Sequence, residues 1–197
     1  MQRLLLIIMI LLLSSGLAWL LLVWHPEDSK RGGAELQAVP KGGDFSFRSY
    51  QGVVSLKDFR GQVVLLYFGY TWCPDICPTN LALISTILDE MSEAERAKVQ
   101  PIFVSVDPAR DSVDRLKEYV EYFHPKLLGV TASEPVIREV AERYGAAYKL
   151  HQEEGEANYV VDHSADTYLV GTDGELINTI PHGATAEELL AAVRPLL

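Results

Sequence analysis

The sequence predicts a three-layer α/β/α domain carried behind a single N-terminal transmembrane anchor. Three observations lead there. Apolar runs of buried-strand length alternate with amphipathic helical stretches, the chain closes on a hairpin and a capped helix, and its first 24 residues are almost free of charge.

The anchor comes first. After Met1-Gln2-Arg3, the run Leu4–Trp24 has no charged residue, and only Ser14, Ser15 and Gly16 interrupt it. A bilayer core of ~30 Å needs ~20 apolar helical residues, so the run is long enough to span. Trp19 and Trp24 stand toward its outer end, where aromatic rings favour the membrane–water interface. A cleaved signal peptide would use Leu4–Leu13 as its apolar region and Gly16-Leu17-Ala18 as its cleavage site. The apolar character continues through Trp24, which favours an uncleaved anchor; either way the domain is exported. The head lacks an Arg- and Ser-rich amphipathic presequence, so a bacterial inner-membrane protein with its C-terminal domain in the periplasm, or outside the cell, is expected. Residues 25–41 are Pro-, Gly- and charge-rich and read as a tether, with the domain occupying 42–197.

Val63–Phe68, solidly apolar with β-branched and aromatic residues, predicts a buried central strand. A helix follows over Pro78–Met91, with Leu81, Ile84, Ile87 and Leu88 on one face. Ile102–Val106 predicts a second buried strand and Ser112–Phe123 a second helix. After the short apolar piece Leu127–Val130, Ser133 is placed to cap a helix that ends at Tyr144, where Gly145 stops it. Asp166–Val170 and Leu176–Ile180 predict strands joined through Thr172-Asp173-Gly174, since Asp-Gly is a strong hairpin signal. Thr185 and Glu188 form a capping box for the last helix. This order, a parallel pair, a crossover, an antiparallel hairpin and a final helix, matches a thioredoxin-like core. His151–Val161 is long, acidic and Gly-containing, and is expected to be an exposed loop.

The chain carries 17 basic and 27 acidic residues, a net charge of −10. That acidity argues against nucleic acid or anionic lipid as a target. It suits a basic protein partner or simple solubility.

Two cysteines are present, four apart in Thr71-Trp72-Cys73-Pro74-Asp75-Ile76-Cys77-Pro78. Each precedes a proline, which disfavours the α conformation at both. Pro78 suits a first helical position, so Cys77 is expected at the N-cap and the pair on a projecting loop. A helix N-terminus lowers thiol pKa values. Three chemistries fit. A structural disulfide is ordinary in an exported protein, but one closing so small a loop constrains the unfolded chain little. A redox dithiol usually has two intervening residues rather than three. Two thiolates would also select a soft metal ion such as Cu(I).

Of five histidines, His25, His124, His151 and His182 read as surface, helix-end, loop and turn residues. His163 differs. It precedes the predicted strand Asp166–Val170, whose head faces the cysteine loop in a thioredoxin-like fold. Thiol–disulfide enzymes usually place a cis-proline there, and no proline occurs between Pro135 and Pro181. Two sulfurs and one imidazole nitrogen would make a three-coordinate site for Cu(I), which a water could complete for Cu(II).

These residues resemble the Sco/SenC family of copper-binding proteins over about Gly43–Leu197. The resemblance rests on Phe68-Gly69-Tyr70-Thr71-Trp72-Cys73-Pro74-Asp75-Ile76-Cys77-Pro78, on Val104-Ser105-Val106-Asp107-Pro108-Ala109-Arg110-Asp111, and on Asp162-His163-Ser164. It implies that Cys73, Cys77 and His163 are copper ligands. It also implies a role in supplying or redox-preparing the dinuclear copper centre of cytochrome c oxidase, with the oxidase copper-bearing subunit and another copper chaperone as partners. Many relatives have histidine where this chain has Trp72, which would instead offer an aromatic contact or cover the site. Asp107-Pro108 reads as a turn and Asp111 as a helix cap, although carboxylates there could also orient donors. A membrane-tethered thiol–disulfide reductase acting on oxidase cysteines is the alternative function.

Overall fold

The computed structural model describes residues 40–151 and 159–197, together with residues 9, 14–17 and 19. The chain divides into two compact units, Met1–Ala38 and Val39–Leu197. The expected anchor over Leu4–Trp24 falls mostly outside the described residues, of which 9, 14–17 and 19 are helical. Among the described residues no helix is long and apolar enough to cross a membrane. Most of the expected tether also lies outside them.

The second unit begins with a hairpin, β1 (Ser46–Ser49) and β2 (Gly52–Ser55). β3 (Val63–Gly69) is followed by α1 (Ile76–Glu90), the short α2 (Glu93–Ala97), β4 (Val99–Ser105), α3 (Val113–Phe123), β5 (Leu128–Val130) and α4 (Glu134–Tyr144). Then come β6 (Tyr148–His151), β7 (Val160–His163), β8 (Thr167–Val170), β9 (Leu176–Ile180) and α5 (Ala186–Val193). Five strands make one sheet in the order β5-β4-β3-β8-β9. β3 pairs parallel with β4 and antiparallel with β8, which continues into β9 across the expected hairpin. All seven β3 residues are buried, which is why the strand reads as an unbroken apolar run.

Strand alternation sorts the helices into layers. Tyr67 and its register partner Phe103 face α1 and α3: the Tyr67 hydroxyl approaches Cys77, and the Phe103 ring lies 5.5 Å from Tyr119. Phe68 and Tyr168 point the other way, their rings 6.1 and 6.0 Å from that of Tyr144 on α4. The predicted α/β/α sandwich is therefore present.

Three local expectations are corrected. α1 starts at Ile76 with Asp75 as its N-cap, so Cys77 lies inside the first helical turn and not at the cap. Pro78 is tolerated because the N–H it lacks is one the first turn leaves unpaired anyway. The expected loop His151–Val161 instead ends one strand and begins another: β6 and β7 pair antiparallel, with residues 152–158 outside the described set. His163 consequently closes its own strand, outside the five-stranded sheet, and does not head β8.

Candidate metal centre

The cysteine segment grows out of the end of the central strand. A Cβ added to Gly69 would lie 2.6 Å from the Cys77 sulfur and 2.8 Å from the Phe103 ring, so only glycine lets β3 run past the thiol. The chain then turns, Cys73 donating its N–H to the Tyr70 carbonyl at 3.2 Å. Asp111, fully buried, pins the turn from the loop between β4 and α3. Its carboxylate accepts the Thr71 N–H at 3.0 Å, the Thr71 hydroxyl at 2.6 Å and the Ser105 hydroxyl at 2.6 Å. The helix-cap reading of Asp111 is thereby corrected, since Ser112 caps α3 by accepting the Arg115 N–H.

Cys77 is completely buried and Cys73 nearly so, and both are free thiols. His163 reaches them from β7, its Nε2 lying 3.3 Å from the Cys77 sulfur. Its Nδ1 lies 2.9 Å from the Ser164 carbonyl oxygen, which can only accept. That contact assigns the proton of a neutral ring to Nδ1 and leaves the Nε2 lone pair facing the sulfurs. Tyr70 and Tyr67 wall the imidazole, their rings edge-on at 5.7 and 6.2 Å.

One ligand atom from each of Cys73, Cys77 and His163 lies within 4.8 Å of the other two. Donors held ~2.0–2.3 Å from one soft ion lie at most about 4.6 Å apart, so a small inward movement of the trio would complete the site. Among the described residues, no other trio of His, Cys, Asp or Glu gathers in this way. The two sulfurs divide their protons unequally. A hydrogen bond from the Cys77 thiol is the main force holding Cys73 well below the usual thiol range. Burial pushes Cys77 up, and the neighbouring Cys73 pushes it further. The opposed shifts favour Cys73 as the first of the pair to lose its proton, with Cys77 as its hydrogen-bond donor.

The remaining histidines stay apart. His151 pairs with Asp162 at 2.6 Å on the outer face of the hairpin, His182 contacts Asn80 at 3.3 Å, and His124 is buried at the end of α3. His25 lies outside the described residues. Trp72 is 56% exposed, with the Arg110 and Arg115 guanidinium groups at 5.9 and 5.7 Å from its ring. Sequence reasoning missed Tyr70, whose hydroxyl accepts the Val161 N–H at 3.5 Å and so ties the cysteine turn to the histidine strand. The available signal was an aromatic residue at the strand exit, three before Cys73.

The family model for SCO1/SenC matches residues 33–197. A mitochondrial SCO2 homologue from Bos taurus is 40% identical over 184 residues, covering 91% of this chain and 69% of that protein. The solution structure of apo Sco1 from Thermus thermophilus superposes with a TM-score of 0.74 at 38% identity, over 80% of this chain and 92% of that one. Arabidopsis thaliana ScoI with copper bound gives a TM-score of 0.70, also at 38% identity, over 77% of this chain and 94% of that one.

Proposed function

The chain belongs to the SCO1/SenC family, and from that premise we propose that it is a copper metallochaperone. It binds one copper ion through the thiolates of Cys73 and Cys77 and Nε2 of His163, and it assists assembly of the dinuclear copper centre of cytochrome c oxidase. Residues 1–24 anchor it in a bacterial inner membrane, 25–41 act as a tether, and 42–197 present the site outside the membrane. Its partners are the copper-bearing oxidase subunit and a second copper chaperone that loads it.

The observation carrying this reading is the convergence of three soft or borderline donors within 4.8 Å, with the imidazole tautomer already set for ligation. Two thiolates and a neutral imidazole leave a formal charge of −1 with Cu(I) and 0 with Cu(II). Neither state demands a buried counter-charge, so the site tolerates both. Near-complete burial of the sulfurs keeps bulk thiols and water from competing for the cargo.

The paired protonation of the cysteines favours a second reading, thiol–disulfide reduction of oxidase cysteines. The Cys73 thiolate attacks a substrate disulfide and Cys77 resolves the mixed disulfide. Two electrons pass to the substrate, leaving Cys73–Cys77 oxidised. Copper titration of the purified protein, before and after reduction of the cysteines, tests the first reading. One ion per chain bound by the reduced form is expected, and a reduced protein that takes up no copper refutes the chaperone.

A further inference from the structure

His163 stands at the end of a two-stranded hairpin that belongs to neither edge of the main sheet. An isolated pair of strands is marginal in water, so something else must fix where β7 begins. The loop between β4 and α3 supplies it. Asp107 and Asp111 stand four residues apart on that loop, and both are fully buried. Asp111 grips the cysteine turn through Thr71, as described above. Asp107 faces the histidine strand: one carboxylate oxygen accepts the Tyr159 hydroxyl at 2.6 Å, and the other accepts Arg110 Nε at 2.5 Å. Arg110 completes the ring by donating Nη1 to the Tyr159 carbonyl at 2.8 Å, its guanidinium 3.6 Å from the Tyr159 ring centroid. Tyr159 immediately precedes β7.

We propose that Asp107, Arg110 and Tyr159 form a latch of positioning residues, which fixes the start of β7 and so holds His163 Nε2 at ligating distance from sulfurs gripped by the same loop. One five-residue stretch, Asp107 to Asp111, thus gauges the separation between the two halves of the centre. The latch rests on the reading of Cys73, Cys77 and His163 as a metal site. Burial, reinforced by the adjacent carboxylate, pushes the Tyr159 phenol up to about 12, so it remains a donor to Asp107 at any physiological pH.

The test is Tyr159→Phe in the whole protein, which deletes the hydroxyl and keeps the ring beneath Arg110, with His163→Ala as the ligand-loss control. Copper affinity by chelator competition should fall about tenfold, the loss expected for a hydrogen bond to a charged acceptor. The sulfur-to-Cu(II) charge-transfer bands should shift, and amide exchange in the metal-free protein should quicken at Val160–His163 while α1 stays protected. Arg110→Lys, which keeps the charge but not the fork, should behave in the same direction. A parent that binds copper beside a Tyr159→Phe variant with the same affinity, spectrum and exchange overturns the latch and leaves the metal site standing. Faster exchange throughout the domain, with copper uptake per folded molecule unchanged, also overturns it. A parent that binds no copper removes the metal reading and the latch with it.

Discussion

The two halves of the candidate metal centre are held by different kinds of force. The cysteines leave a central strand whose seven residues are all buried and which has a paired strand on each side. The histidine ends a four-residue strand whose exposure alternates, paired with a single four-residue neighbour. Moving the sulfurs means disturbing the central sheet, whereas moving the imidazole means withdrawing Tyr159 and Val161 from the core and releasing a handful of polar contacts. The sulfur positions therefore share the stability of the fold, and the imidazole position is separable from it.

The sharpest way to break that contrast is His163→Ala. Copper affinity should fall by about a thousandfold, more than the ten- to hundredfold typical of losing an outer-shell partner. Thermodynamic stability of the metal-free protein should change by only about 1 kcal/mol, because a half-buried side chain and one hydrogen bond to Ser164 are lost. Dithiol exchange at Cys73 and Cys77 should persist. Chelator competition and denaturant unfolding on one sample set read both quantities. Unaltered copper affinity refutes the ligand assignment, and a collapse of stability refutes the separability.

The same contrast explains what the sequence disclosed. β3 announced itself because a strand buried on both faces needs apolar residues at every position, Val63 to Phe68. Gly145 was legible as a helix stop because it must adopt φ 74°, where glycine is unstrained. The capping box of Thr185 and Glu188 was equally plain, and it forms as read. The histidine hairpin left no such mark. Tyr148–His151 and Val160–His163 are only four residues each and half polar, and they pair with each other rather than with the main sheet. Acidic residues between them read as loop. Asp111 was misread because Asp before a helix resembles a cap; only its burial beside Thr71, forty residues earlier in the chain, reveals a brace. Cys77 stands two residues further into the helix than the expected N-cap, since Pro78 fits any position of the first turn.

On the cysteine side, Asp111→Ala should cost about 3 kcal/mol, because the Thr71 N–H and two hydroxyls lose their acceptor inside the protein. Gly69→Ala should cost about 2 kcal/mol by overpacking against Cys77 and Phe103. Urea unfolding of the metal-free variants measures both. Either variant at wild-type stability would mean that the sulfurs are not held by the core in the way described.

The smallest effect expected is a pH dependence confined to the cysteine half. His124 ends α3, its Nδ1 accepting the Lys126 N–H at 3.0 Å and its Nε2 lying 3.7 Å from Asp89 on α1. Burial is the main force holding its pKa below the usual histidine value. The Arg96 and Lys126 charges add to this, while Asp89 opposes it. A histidine depressed in the folded state contributes stability that is fully present above the unfolded value of ~6.5 and is lost as pH falls through the folded one. Protonation also removes the Nδ1 lone pair on which the Lys126 contact depends. Between pH 7.5 and 5 the wild type should therefore lose more stability than His124→Gln, by at most about 1.4 kcal/mol per pH unit. Denaturant midpoints of the two proteins across that range measure the difference. Amide exchange should show the loosening first where α3 meets α1, with β6 and β7 unchanged. Parallel pH curves for the two proteins would exclude His124 as the source, and loosening that began in the hairpin would place the acid-sensitive part of the molecule in the wrong half.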